Sequence, residues 1–251
     1  MAQIKTLMKS IIPSILLDIR RRRHLSRIRK ANQTKPIKEV FTSIYEQHLW
    51  GRSVYCSGSG SSDQHAAQYA SMVNSLILEK GITSLLDLGC GDFVVGKALR
   101  RDRVKYVGIN IVDGLITRNQ ESYGDDMTSF MCRDIIEDPL PEGDLCMLRQ
   151  VLQHLSNSQI SSVLKKITKY KYKYVLVTEH YPAPFVKSQP NLDKPHGPDT
   201  RIYDNSAVYL DLPPFNVRSD KISLVLDISA EAYLVNKGER LRTFMIENCP
   251  T

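Results

Sequence analysis

From about residue 83 onward, short continuous apolar runs alternate with longer mixed segments. The runs at about 83–88, 104–110, Thr128–Cys132, Leu145–Arg149 and Tyr174–Thr178 have the length and apolar content of buried strands. The segments between them predict helices at about 94–101, 113–121 and Ser158–Tyr170, and a further helix from about Gln64 to Lys80 precedes the first strand. Such alternation argues for parallel strands covered by helices. Two late runs, about Ile222–Ile228 and Arg240–Glu247, flank a turn at Asn236-Lys237-Gly238 and predict an antiparallel closing pair. The expected class is α/β: a Rossmann-like, mostly parallel sheet with helices on both faces, an antiparallel last strand and an N-terminal helical extension. No internal repeat is evident.

Three segments stand outside this alternation. In residues 1–30, Ile4, Leu7, Met8, Ile11, Ile12, Ile15, Leu16 and Ile19 recur at steps of three and four, as one face of a helix requires, and an arginine cluster follows. Residues 31–80 form a cap: a polar linker, then Phe41, Tyr45 and Trp50, then the run Ser57-Gly58-Ser59-Gly60-Ser61-Ser62. Residues 81–251 hold the domain proper. Within it, 181–216 carries seven prolines and many polar residues, so it predicts a long irregular loop facing a substrate.

Charge sharpens the first segment. The net charge of +7 suggests a nucleic-acid binder until it is located. Lys5, Lys9, Arg20, Arg21, Arg22, Arg23, Arg27, Arg29 and Lys30 against Asp18 give residues 1–30 a charge of +8, leaving −1 for the rest. The body therefore offers no phosphate-binding stripe, and a nucleic-acid partner is not expected. An apolar face followed by arginines fits an anionic membrane surface; a helix packed on the domain, or a dimer contact, fits equally. The run Ile11–Leu17 is broken by Pro13 and Ser14 and is too short to span a bilayer. It lacks a cleavage site, so no signal peptide is expected. Five cysteines without a Cys-x-x-Cys pattern point to reduced thiols and a cytoplasmic protein, peripheral at the inner membrane face if the extension binds lipid.

Candidate chemistry begins at Leu85-Leu86-Asp87-Leu88-Gly89-Cys90-Gly91-Asp92, where an apolar strand runs into a glycine turn and then a helix. Glycine allows close approach of a ligand to such a turn, and backbone N–H groups there can point at it. A dinucleotide fingerprint needs a third glycine where Val94 stands. A phosphate-binding loop fits from Gly91 through Gly96-Lys97, but Ala98 replaces the required hydroxyl residue and Asp92 would put an anion in the cradle.

These residues resemble motif I of class I S-adenosylmethionine-dependent methyltransferases, and the resemblance extends over about residues 83–180. It implies S-adenosylmethionine as cofactor, held at Asp87, Gly89, Cys90 and Gly91. Tyr106-Val107-Gly108-Ile109-Asn110 resembles the second strand, whose end usually carries an acidic residue for the ribose hydroxyls. Here Asn110 stands in that place, followed by Ile111, with Asp113 as an alternative; an amide also hydrogen-bonds a hydroxyl. Cys132-Arg133-Asp134-Ile135 resembles the segment whose acid recognises the adenine amino group, making Asp134 the candidate. Leu148-Arg149-Gln150-Val151-Leu152-Gln153-His154-Leu155 resembles the segment after the fourth strand and adds Arg149 and Gln150. Read without the family, Asp134 caps a turn and His154 is a buried hydrogen-bonded histidine.

Methyl transfer to a hydroxyl benefits from a base, and His180 and His154 follow strand ends on the side where open α/β sheets bind ligands; His180 ranks first. Glu179 could orient His180 or bind an acceptor, and Asp199 and Arg201 could hold a polar substrate or form a structural pair. No ligand cluster supports a divalent metal, although some sugar methyltransferases use one. More loosely, Trp50, the Ser57–Ser61 run and Val208-Tyr209-Leu210-Asp211-Leu212-Pro213-Pro214-Phe215-Asn216 resemble bacterial methyltransferases associated with surface polysaccharides. That resemblance implies O-methylation of a sugar or glycan. Leu212-Pro213-Pro214-Phe215 is similar to a motif of nucleic-acid amino-methyltransferases but stands after the fifth strand instead of the fourth. A methyltransferase acting on a small molecule, lipid or nucleic acid, or a non-catalytic cofactor-binding regulator, are the alternatives.

Overall fold

The computed structural model describes residues 16, 19–51, 57, 63–100, 102–169, 172–230 and 238–248. Seven strands form one sheet in the order β3-β2-β1-β4-β5-β7-β6. These are β1 (Ser84–Leu88), β2 (Lys105–Asn110), β3 (Thr128–Cys132), β4 (Leu145–Arg149), β5 (Tyr174–Tyr181), β6 (Ile222–Ser229) and β7 (Arg240–Glu247). β1 to β5 pair in parallel, whereas β7 runs antiparallel to both β5 and β6, as the sequence pattern predicts. The helices are α1 (residues 19–32), α2 (Ile37–Glu46), α3 (Asp63–Lys80), α4 (Val94–Ala98), α5 (Asp113–Tyr123) and α6 (Asn157–Lys169).

The central strands are buried on both faces, which is why they read as unbroken apolar runs. Alternate side chains of β1 and β4 feed two separate cores. Leu86, Leu88, Cys146 and Leu148 pack under α6, whereas Leu85, Leu145 and Met147 pack with Tyr69 and Val73 of α3. Strand order reverses at β1, between β2 and β4, and this is where an open α/β sheet forms its ligand crevice.

Three elements differ from the sequence expectation. α4 stops at Ala98, because Leu99 turns extended (φ −77°, ψ 145°), instead of continuing to 101. β5 continues to Tyr181: antiparallel pairing with β7 carries the polar residues Thr178, Glu179 and His180 in register with Thr243, Arg242 and Leu241. α2 occupies the expected linker, with Ile37, Val40, Phe41, Ile44 and Tyr45 at helical spacing and Val40 and Ile44 fully buried.

The 181–216 region is irregular yet tightly held. The buried Asn191 amide donates to the carbonyls of Tyr209 and Pro213 at 2.9 and 2.8 Å and accepts the Tyr209 N–H at 2.7 Å. The Tyr181 hydroxyl donates to Val208 O at 2.6 Å. Of residues 1–30, α1 packs Leu25 into the fold while Arg20, Arg22, Arg23 and Arg27 stay exposed. The apolar stretch Ile4–Ile15, Leu17 and most of the serine and glycine run lie outside the described residues, as does the turn at Asn236-Lys237.

Candidate active site

A cleft of about 390 Å³ opens over the carboxyl ends of β1, β2 and β4, roofed by α2 and the residues that follow it. Its floor is the β1 turn. Gly89 and Gly91 have φ of +83° and +53°, and a Cβ on them would stand 2.4 Å from Val151 Cγ2 and 2.5 Å from Ser57 Oγ. Both positions therefore demand glycine.

The turn works differently from an N–H cradle. Gly89 and Cys90 donate their N–H groups to Ile109 O at 2.8 and 3.0 Å, Asp92 N–H donates to Ser57 Oγ at 2.8 Å, and Phe93 N–H donates to Cys90 O at 3.1 Å. Donors spent inside the protein cannot wrap a phosphate, which counts against the phosphate-loop reading beside the missing hydroxyl at Ala98. What the turn offers is close backbone approach. Asp92 is committed too: its carboxylate accepts the Ser57 N–H at 2.6 Å and pairs with Arg118 at 2.5 Å.

The side chains around this floor suit a nucleoside with a charged tail. Asp87, 6% exposed, accepts the Tyr106 hydroxyl at 2.6 Å. Burial pushes its carboxyl up to about 6, against the pull of that hydroxyl and of Arg149. Arg149 lines the cleft with its guanidinium 5.3 Å from the Tyr69 ring, and Gln150 follows at φ +56° with its N–H on Thr178 O at 2.7 Å. Asn110 spends Oδ1 on the Val112 N–H at 3.1 Å, so its Nδ2 donors are the groups it offers a hydroxyl. Asp113 lies on the surface in an ion pair with Lys38 and takes no part. Asp134 both caps a turn, accepting Ile136 N–H at 2.8 Å, and lines the cleft with Ile111 and Ile135. All nine expected cofactor contacts thus meet in one cleft: Asp87, Gly89, Cys90, Gly91, Asn110, Ile111, Asp134, Arg149 and Gln150.

On the other side of the cleft, the expected residues separate. His180 lines it, 5% exposed, with Nε2 3.0 Å from Oε2 of Glu239, which is fully buried. Glu239 was invisible to motif reading, since it precedes β7 and is 59 positions from its partner in the numbering. His154 also lines the cleft, but its Nδ1 donates to Gly197 O at 3.2 Å and its ring lies 4.8 Å from the Trp50 ring. Burial, then the Lys194 charge, lowers its pKa to about 3, which keeps it neutral and a poor base.

Glu179, Asp199 and Arg201 correct the sequence reading, because none of the three lines the cleft. Adjacent residues on a strand face opposite ways, so Glu179 points away from His180. It accepts the N–H groups of Leu152 and Gln153 at 3.0 and 3.1 Å, and burial pushes its pKa up to about 8. Arg201, 1% exposed, donates to Leu155 O at 2.7 Å and to Leu192 O. Asp199 pairs with Arg29 and Lys194. Among the described residues, no three His, Cys, Asp or Glu side chains gather as a metal site.

The comparisons agree with this architecture. Residues 86–170 match the model of a family described as a methyltransferase domain. No curated protein matches the sequence. Among solved structures, the chain is similar to the N-methyltransferase NodS from Bradyrhizobium japonicum in complex with S-adenosylhomocysteine, at 13% identity over 81% of this chain and 98% of that one, TM-score 0.56. It is similar to a 1,6-didemethyltoxoflavin N1-methyltransferase of Burkholderia thailandensis at 13% identity, 84% and 87% coverage and TM-score 0.56. A magnesium protoporphyrin IX methyltransferase from Synechocystis gives 16% identity, 87% and 100% coverage and TM-score 0.52. At such identities the likeness speaks for the fold, and these proteins differ in what they methylate. The match over residues 86–170 and the likeness of fold together support a methyltransferase domain with the class I, S-adenosylmethionine-dependent fold. The glycine turn, too close for any side chain, fits that cofactor.

Proposed function

We propose that the protein transfers the methyl group of S-adenosylmethionine to a sugar hydroxyl, with His180 as the base. The observation that carries this reading is the His180–Glu239 pair at 3.0 Å in the cleft wall. The cofactor supplies a sulfonium methyl for in-line displacement. A buried carboxylate beside the ring stabilises the imidazolium that forms when His180 takes a proton. His180 would thus remove the acceptor hydroxyl's proton, leaving the oxygen free to receive the methyl group that the bound cofactor would supply. Amine or thiolate acceptors need no such base. Phe41, Trp50 and Tyr203 add aromatic faces along the cleft, suited to the apolar face of a sugar ring with its hydroxyls turned to polar groups.

A panel of glycans, activated sugars, lipids, amines and nucleic acids, read by S-adenosylhomocysteine release, tests the acceptor. Turnover with hydroxyl-bearing sugars is expected; turnover with amines alone overturns the reading, and none with any class leaves a cofactor-binding regulator. The exposed arginines of α1 further support a place at the anionic cytoplasmic membrane face, near glycan assembly. Cosedimentation with anionic but not neutral vesicles is expected, and equal recovery with both would remove that placement.

A further inference from the structure

We infer that Arg29 is a positioning residue for the acceptor side of the cleft: α1 fastens the wall formed by residues 198–204. The inference rests on reading that wall as the acceptor side. Pro198, Thr200, Ile202 and Tyr203 line the cleft from this segment. Its inner surface is pinned by Arg201, whose guanidinium donates to Leu155 O at 2.7 Å. Its outer surface carries two carboxylates, and both go to Arg29. Nε and Nη2 donate to Asp199 Oδ2 at 2.9 and 2.8 Å, and Nη2 also reaches Asp204.

Burial makes this contact matter. The Asp199 side chain is 3% exposed, so its charge is almost stripped of water, and its other cation, Lys194 Nζ, stands at 3.6 Å. Removing one partner of such a pair leaves a buried charge uncompensated, which costs far more than breaking a surface pair. Leu25, one turn earlier, is buried and holds α1 in place. The fastened segment then sets two other parts of the cleft: Gly197 O receives His154 Nδ1 at 3.2 Å, and Pro198 O receives Trp50 Nε1 at 3.1 Å. A residue 170 positions from Asp199 in the chain therefore governs where the Trp50 ring lies. The described part of α1 therefore braces the cleft wall from outside.

Trp50 is the chain's single tryptophan, so its emission reports on this wall without a known acceptor. In Arg29→Ala, Trp50 emission is expected to shift to the red and amide exchange over residues 197–206 to rise about tenfold or more, with S-adenosylmethionine affinity within about twofold. Arg29→Lys should restore part of both signals, and Arg27→Ala, on the exposed face of α1, should match the wild type. Ile167→Ala, buried at the far end of α6, should lower stability without moving Trp50. Unchanged emission and exchange in folded Arg29→Ala, or the same changes in Ile167→Ala, would overturn the inference. If Arg29→Ala does not fold, Asp204→Asn, which removes only the second partner, should shift both signals the same way by less; no shift there overturns it as well. None of these readouts needs turnover, so a failed sugar assay leaves them standing and a failed Trp50 assay leaves the acceptor reading standing.

Discussion

The two sides of the cleft are built on different principles. The side expected to hold the cofactor comes from the ends of consecutive parallel strands: Asp87 to Gly91 at the end of β1, Asn110 and Ile111 at the end of β2, Asp134 after β3, Arg149 and Gln150 at the end of β4. Each contact sits within a few residues of a strand end, and sheet order alone brings them together. The side proposed for the acceptor is collected from residues 37–50, 154, 180 and 198–204, with Glu239 paired to His180 behind it. One side is fixed by the fold; the other is free to vary with the molecule it receives.

That contrast predicts its largest effect at the turn. Gly91→Arg must hold φ +53° with a side chain and displace Ser57, whose Oγ would stand 2.5 Å from the new Cβ. S-adenosylmethionine affinity should fall at least about a hundredfold by titration calorimetry, equivalent to about 2.7 kcal/mol or more. Retained affinity in the folded variant would break the assignment of this side to the cofactor. His180→Ala should do the reverse, lowering turnover by about 10²–10⁴ while leaving cofactor affinity within twofold. Glu239→Gln, which keeps the shape but loses the charge, should fall between the two and weaken the alkaline plateau of the rate profile. Full rate in His180→Ala across pH would show that the acceptor side carries no base.

The same contrast explains what the sequence discloses. The Gly89-Cys90-Gly91 turn, the alternation of strands and helices and the antiparallel end are local patterns, and each is present as read. α2 was within reach, since Ile37, Val40, Phe41, Ile44 and Tyr45 keep helical spacing after Pro36, yet the polar residues among them read as a linker. Glu239 had no local signal. Nothing near it indicates that β5 runs on to Tyr181 and that pairing with β7 brings the carboxylate to His180. Glu179 misled for the same reason: adjacency in sequence suggested partnership with His180, whereas strand geometry turns neighbours apart.

Glu179 offers the next test. Its two oxygens each accept one backbone N–H, so Glu179→Gln places an NH₂ against a donor. The variant should lose about 1–3 kcal/mol of stability in urea unfolding, with no change in the pH at which activity rises. A shifted rate profile without a stability loss would return Glu179 to the acceptor side.

The last test separates the two histidines by their protons. Folded His154 resists protonation until about pH 3, against an ordinary value of 6.5. Between those values the unfolded chain binds a proton that the folded chain refuses, so this group's contribution to stability is complete above about pH 6.5 and is lost as pH falls toward 3. His154→Asn keeps an amide donor for Gly197 O and removes the titration. Subtracting its stability curve from the wild-type curve should leave a slope of at most about 1.4 kcal/mol per pH unit below pH 6.5 and none above it. A flat difference would mean that His154 charges readily in the folded protein, and the cleft would then hold two histidines competent to take the acceptor's proton.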